Sequence, residues 1–183
     1  MTRNLNTEIS NYALLVFLGA IWAASFVAIK FSNLIFNPIE VGFYRTFIGS
    51  IFLFLAVKLR GGSISLFSEN TRIYSLIGFL NASVPFTLLP YGLITLPSNI
   101  GVIILSANPF LALVLAHFFT LDEKLSLRKV IGSIIGFSGV VFAVGVEIFV
   151  SDWDSLISAI AIYVGASSYV ISNLIIRRIS HLP

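Results

Sequence analysis

Six stretches of the chain are almost wholly apolar: Tyr12 to Ile29, Pro38 to Val57, Ile73 to Leu93, Ser98 to Phe119, Val130 to Val150 and Leu156 to Ile176. Each approaches the roughly 20 residues that a helix needs to cross a bilayer. Polar or turn-forming pieces separate them, among them Lys58 to Ser63, Leu121 to Lys124 and Ser151 to Asp154. The pattern predicts an all-α integral membrane protein of about six transmembrane helices joined by short loops. The first run is longer than the apolar core of a secretory signal, lacks a small-x-small cleavage site and is followed by further spans, so it reads as a retained helix.

Composition supports lipid as the solvent. Hydrophobic residues make up 57% of the chain and charged residues 10%, against about 25% charged in an ordinary soluble domain. Eight acids and eleven bases are too few to clothe a soluble surface. The absence of cysteine excludes a disulfide framework, a thiolate metal site and a cysteine nucleophile. No metal or cofactor is expected. The bases lie at helix ends and form no stripe, which argues against nucleic acid.

Nine of the eleven bases fall on the amino-terminal tail and alternate connections: Arg3, Lys58, Arg60, Arg72, Lys124, Arg128, Lys129, Arg177 and Arg178. Lys30 alone lies on the other side, and Arg45 lies inside the second helix. Because cytoplasmic loops are enriched in Lys and Arg, the split places the amino terminus and the end of the sixth helix in the cytoplasm, in the cell (inner) membrane. Glu147, Asp152 and Asp154 crowd the outer loop before that helix.

Candidate chemistry concentrates where polar groups interrupt the spans. Pro109 lies about 16 Å along the fourth helix, near the middle of a core about 30 Å thick. There it removes an N–H and frees the carbonyl of Leu105, beside the hydroxyl of Ser106 and the amide of Asn108. In the third helix Pro85 frees the carbonyl of Asn81, and Pro90 that of Phe86. Two neighbouring helices broken at comparable depth mark a transporter's solute site; the bland alternative is a pair of kinks with locally satisfied hydrogen bonds.

Trp22 sits about 15 Å along the first helix, away from the interface where membrane tryptophans concentrate. With Ser25 and Phe26 one turn on, it could wall a path for an organic solute or pack in the core. Arg45 is about 10 Å inside the second helix, where a cation costs up to about 3 kcal/mol on insertion scales. It could touch a ligand or gate, or snorkel outward toward Glu40 and headgroups. Gly132 and Gly136 form a G-x-x-x-G pair assigned to helix packing. No span carries a deep Asp or Glu, which argues against a carboxylate proton relay within these helices.

Ile21 to Val27 can be laid over Val164 to Val170 with matched small, hydroxyl, aromatic and branched positions, which pairs Ser25 with Ser168. A repeat that restarts after five helices, an odd number, must be inverted. Three segments then resemble the EamA family of the drug/metabolite transporter superfamily: Trp22 to Phe26, Asn37-Pro38 with Arg45, and Asn108 to Val140. The last contains Asn108-Pro109-Phe110-Leu111-Ala112-Leu113, then Leu121-Asp122-Glu123-Lys124-Leu125-Ser126, then Gly132 and Gly139-Val140. Tyr91-Gly92-Leu93 is similar to the family's Tyr-Ala-Leu and adds Tyr91 to the pathway candidates.

The resemblance implies a ten-helix inverted-repeat fold around a cavity for metabolite or drug transport. On that basis residues 1–11 form a cytoplasmic tail, 12–150 a first five-helix repeat, and 151–183 an outer loop with the first helix of a second, incomplete repeat. A site between two repeats then needs a homodimer or a missing second half. The expected function is alternating-access transport of a small organic metabolite or drug. The alternatives are a non-transporting fragment or assembly partner, and a membrane-embedded enzyme, for which the spans lack converging acids or histidines. The pathway candidates are Trp22, Ser25, Phe26, Arg45, Asn81, Pro85, Tyr91, Ser106, Asn108, Pro109 and Ser168, and no catalytic residue is expected.

Overall fold

The computed structural model describes residues 5–63, 69–120, 125–144 and 152–179. These residues form helices and no strand. The expected loop 121–124, the acids Asp122, Glu123 and Glu147, and the last turns of the fifth predicted span lie outside them.

Helix α1 covers Leu5–Ser32 and α2 Pro38–Leu59. The third span is composite: α3, Thr71–Gly78, runs through a π-helical turn, Phe79–Ser83, into α4, Val84–Thr95. The fourth divides into α5, Ser98–Ser106, and α6, Asn108–Phe119. Then come α7, Leu127–Val144, and α8, Trp153–Ile179. Five of the spans, all but α7, are long and apolar enough to cross a membrane on their described residues.

Local sequence fixes several of the ends. Asn37 caps α2 through a reciprocal box, in which its Oδ1 accepts from the N–H groups of Ile39 and Glu40 while the Glu40 carboxylate accepts from its own. Pro38 fills the first helical position, where a missing N–H is harmless. At the other end Gly61, with φ 74°, lets Gly61 and Gly62 donate back to Lys58 and Val57. Lys30 closes α4 from a neighbouring helix, donating to the carbonyls of Leu93 at 2.7 Å and Leu96 at 3.1 Å. A cation at a helix carboxyl end is favourable both as a donor and against the helix dipole.

The packing centre is the contact between α4 and α8. Ile29, Leu93, Leu96 and Ile162 form a buried cluster, with Phe26, Ile100 and Ile104 around it. Small residues allow the approach: a Cβ on Gly92 would run into Ile162 and lie 2.6 Å from the Ser158 carbonyl, and one on Gly165 would lie 2.8 Å from Leu89. In a bilayer such small-residue seams replace the hydrophobic drive that lipid does not supply. Ser158, Ala161, Gly165, Ser168 and Ser172, alternately three and four apart, are all buried on this face of α8.

The outer surfaces are apolar, as lipid contact requires. Phe17 and Trp22 of α1 are each 65% exposed. One sequence expectation is corrected here: Gly132, Gly136 and Gly139 meet nothing within 4 Å of an added Cβ. Among the described residues they do not seat a neighbouring helix. Phe137, on the same helix, makes the edge-to-face contact with Phe110 at 5.7 Å between ring centres, and the bare glycines leave a cleft beside it.

Candidate functional site

The two expected breaks are both present, in different forms. In the third span the chain widens into a π turn that contains Asn81, and the Val84 N–H reaches back to the Phe79 carbonyl. Pro85 follows immediately. Its ring would strike the carbonyl four residues back, that of Asn81, in a regular α-helix, and a wider turn relieves that clash. In the fourth span the helix divides at Ala107 and restarts at Asn108 and Pro109. The Ser106 hydroxyl turns back to the Ile103 carbonyl at 2.6 Å. Asn108 turns outward instead, donating from Nδ2 to the Ala166 carbonyl of α8 at 2.9 Å.

Both breaks pack against α8, and two of the four buried polar atoms without partners among the described residues lie there, the others being on Asn33 and Arg45. The Asn108 Oδ1 and the Ser167 Oγ are buried and make no hydrogen bond. Each such atom in an apolar medium costs about 1–3 kcal/mol. The Ser168 hydroxyl, by contrast, is buried and satisfied by the Gly165 carbonyl at 2.7 Å.

Arg45 is the second polar centre. Its Nη2 lies 3.3 Å from the Ser25 Oγ of α1, and its guanidinium carbon lies 4.1 Å from the centre of the Phe86 ring of α4. Tyr169 of α8 is within electrostatic reach. Three helices, α1, α2 and α4, thus meet at one cation. Arg45 does not pair with Glu40 among the described residues: its guanidinium turns instead to Ser25 and Phe86, while Glu40 Oε2 accepts from the Asn37 N–H at 2.9 Å. The Arg45 Nη1 is buried and unpartnered. Arg45 and Phe86 also line an open groove of about 680 Å³, together with Ser32, Phe36, Val41, Tyr44 and Ile48.

A second open groove, of about 690 Å³, separates the fourth span from α7. Ser106 and Pro109 line it opposite Lys129, Gly132 and Gly136.

The structure brings Ser25 together with Arg45, and Ser106 together with Pro109. Asn81 and Pro85 share the break in the third span. Phe26 packs on the buried cluster, and Trp22 and Tyr91, at 65% and 45% exposed, stand on outer faces apart from Arg45. Sequence reasoning missed Phe86 and Tyr169 as neighbours of Arg45. It also missed Asn33, whose Nδ2 donates to the Pro90 carbonyl at 2.8 Å. Tyr169 carried a signal, since it falls opposite Phe26 in the repeat match; Phe86 carried none beyond its place after Pro85.

Comparison with known proteins agrees with this architecture. Residues 10–145 match the EamA-like transporter family. The chain is 27% identical over 154 residues to an uncharacterized transporter, YoaV, of Bacillus subtilis, covering 84% of the chain and 52% of that protein. It is 31% identical over 120 residues to an uncharacterized transporter of Archaeoglobus fulgidus, covering 66% of the chain and 42% of that protein. The chain spans about half the length of these curated relatives. No solved structure matches it.

Proposed function

The chain belongs to the EamA-like transporter family, and from that premise we propose that it carries a small organic solute across the membrane by alternating access. The path runs beside α1, the broken third and fourth spans, and α8. The observation that carries this reading is the pair of helix breaks against α8, with the Asn108 Oδ1 and the Ser167 Oγ buried and unpartnered beside them. A rigid structural bundle gains nothing from such atoms, whereas a solute or water passing the site can satisfy them.

Residues 12–150 act as one five-helix repeat, and α8 opens an inverted second one. The match of Val164 to Val170 with Ile21 to Val27 supports this division, as does the half-length coverage of the relatives. The working site is completed by a second half or by a second copy of the chain. The split of the bases supports a cytoplasmic amino terminus in the cell membrane.

The test is uptake into proteoliposomes with a panel of amino acids, nucleosides and cationic drugs, using the chain and any longer form that contains it. Saturable uptake of one class is the expected result. If neither form moves any solute, the transport reading fails and the assembly-partner reading replaces it.

A further inference from the structure

We propose that the transported solute is an organic carboxylate with an apolar body, held by Arg45. This rests on the transporter reading and narrows it to a substrate class.

The inference starts from charge. Arginine stays protonated in a protein, and a cation this far inside a span persists only with compensation. The sequence places no Asp or Glu deep in any span. The one acid in the same helix, Glu40, sits at the helix cap, where it accepts from the Asn37 N–H, and makes no ion pair with Arg45 among the described residues. Among the described residues, what the chain offers Arg45 is a hydroxyl oxygen, Ser25 Oγ, and an aromatic face, Phe86. Both orient the guanidinium and neither neutralises it. The Nη1 group is left buried without an acceptor, so the anion that completes the site comes from outside these helices.

Geometry then selects the kind of anion. Phe86 covers the face of the guanidinium, which leaves its edge for a ligand, and the planar two-pronged edge matches a carboxylate. Ser25 accepts from Nη2, so its own proton is available to the same carboxylate. The open groove that Arg45 lines is mostly apolar, with Phe36, Val41, Ile48 and Phe86 beside Tyr44 and Ser32. An apolar or aromatic body fits those walls, with the single charged group at Arg45.

The test measures thermal unfolding of the purified protein, in its longest natural form, while three solutes of one shape are titrated. These are 3-phenylpropanoate, its neutral isostere 3-phenylpropanamide, and 2-phenylethylamine; acetate and succinate extend the carboxylate set. A ligand that binds only the folded state raises the unfolding temperature in a saturable way. At least one carboxylate is expected to do so while the amide and amine do not. Arg45→Gln should weaken that carboxylate at least tenfold. Arg45→Lys, which keeps the charge and loses the fork, should weaken it less but measurably, and it decides the matter if Arg45→Gln does not fold.

The proposal is overturned if no carboxylate separates from the amide, or if binding is unchanged in the variants. Uptake of the same solutes separates the two readings. Transport of the amine or amide without any carboxylate effect keeps the transporter and removes the anion site. A carboxylate effect lost in Arg45→Gln with no uptake of anything keeps the site and removes transport.

Discussion

Gly92 and Gly165 let the third and sixth spans touch, and they behave oppositely to the glycines of α7. A side chain at Gly92 would meet Ile162 and the Ser158 backbone, whereas one at Gly136 meets open space. Gly92→Val should therefore lower stability by about 1–3 kcal/mol as an overpacked contact, read as a lower unfolding temperature in detergent. Gly136→Ala should be neutral or slightly stabilising, since alanine is favoured in a helix by about 1 kcal/mol. Equal effects at the two positions would contradict the packing described above. Sequence alone could not tell these glycines apart, because G-x-x-x-G spacing states what a helix face permits and says nothing of what faces it. The depth of Arg45 was legible for a different reason: it depends only on counting along one helix. Its contacts come from two other helices, through Ser25 and Phe86, and no local pattern announces them.

At the scale of elements, the prolines were the most readable features. Their positions foretold breaks in the third and fourth spans, and both are there. The form of each break was not readable, since a π turn and a divided helix both answer the same missing N–H. Pro85→Ala should let the third span return to regular α-helix, with stability equal or higher and solute uptake lower, measured as unfolding temperature and initial uptake rate on the same preparation. Unchanged uptake would show that the π turn is only a packing accommodation. The start of α8 supplies a pH test. The Asp152 carboxyl accepts from the Ser155 backbone N–H at 2.7 Å, which holds it below its ordinary value. A lowered folded-state value means that the cap contributes above the ordinary carboxylate range and is lost as pH falls through the lowered one. Amide exchange in the first turn of α8 should rise there relative to the rest of the helix, and Asp152→Asn, which still caps, should abolish that change.

Across the whole molecule, burial is uneven in a way that hydropathy does not show. In the most apolar stretch of each, 33% of α8 is buried and 6% of α1, although both read in sequence as spanning helices. The difference arises because α8 lies against the third span along its small-residue face, while α1 turns Trp22 and Phe17 outward. That the chain is helical and apolar enough to span a membrane could be read from the sequence; neighbour relations could not, because several of the spans, α1 and α2 among them, have no marked polar face. The most direct measurement is the initial uptake rate per unit of folded protein for Asn108→Ala against the unaltered protein, in proteoliposomes with matched amounts of correctly folded transporter. A solute path at the break predicts at least a tenfold loss of rate with an unfolding temperature within a few degrees of the original. An unchanged rate, or a rate that falls only in step with folded protein, would mean that Asn108 and the broken spans serve packing and that the solute passes elsewhere.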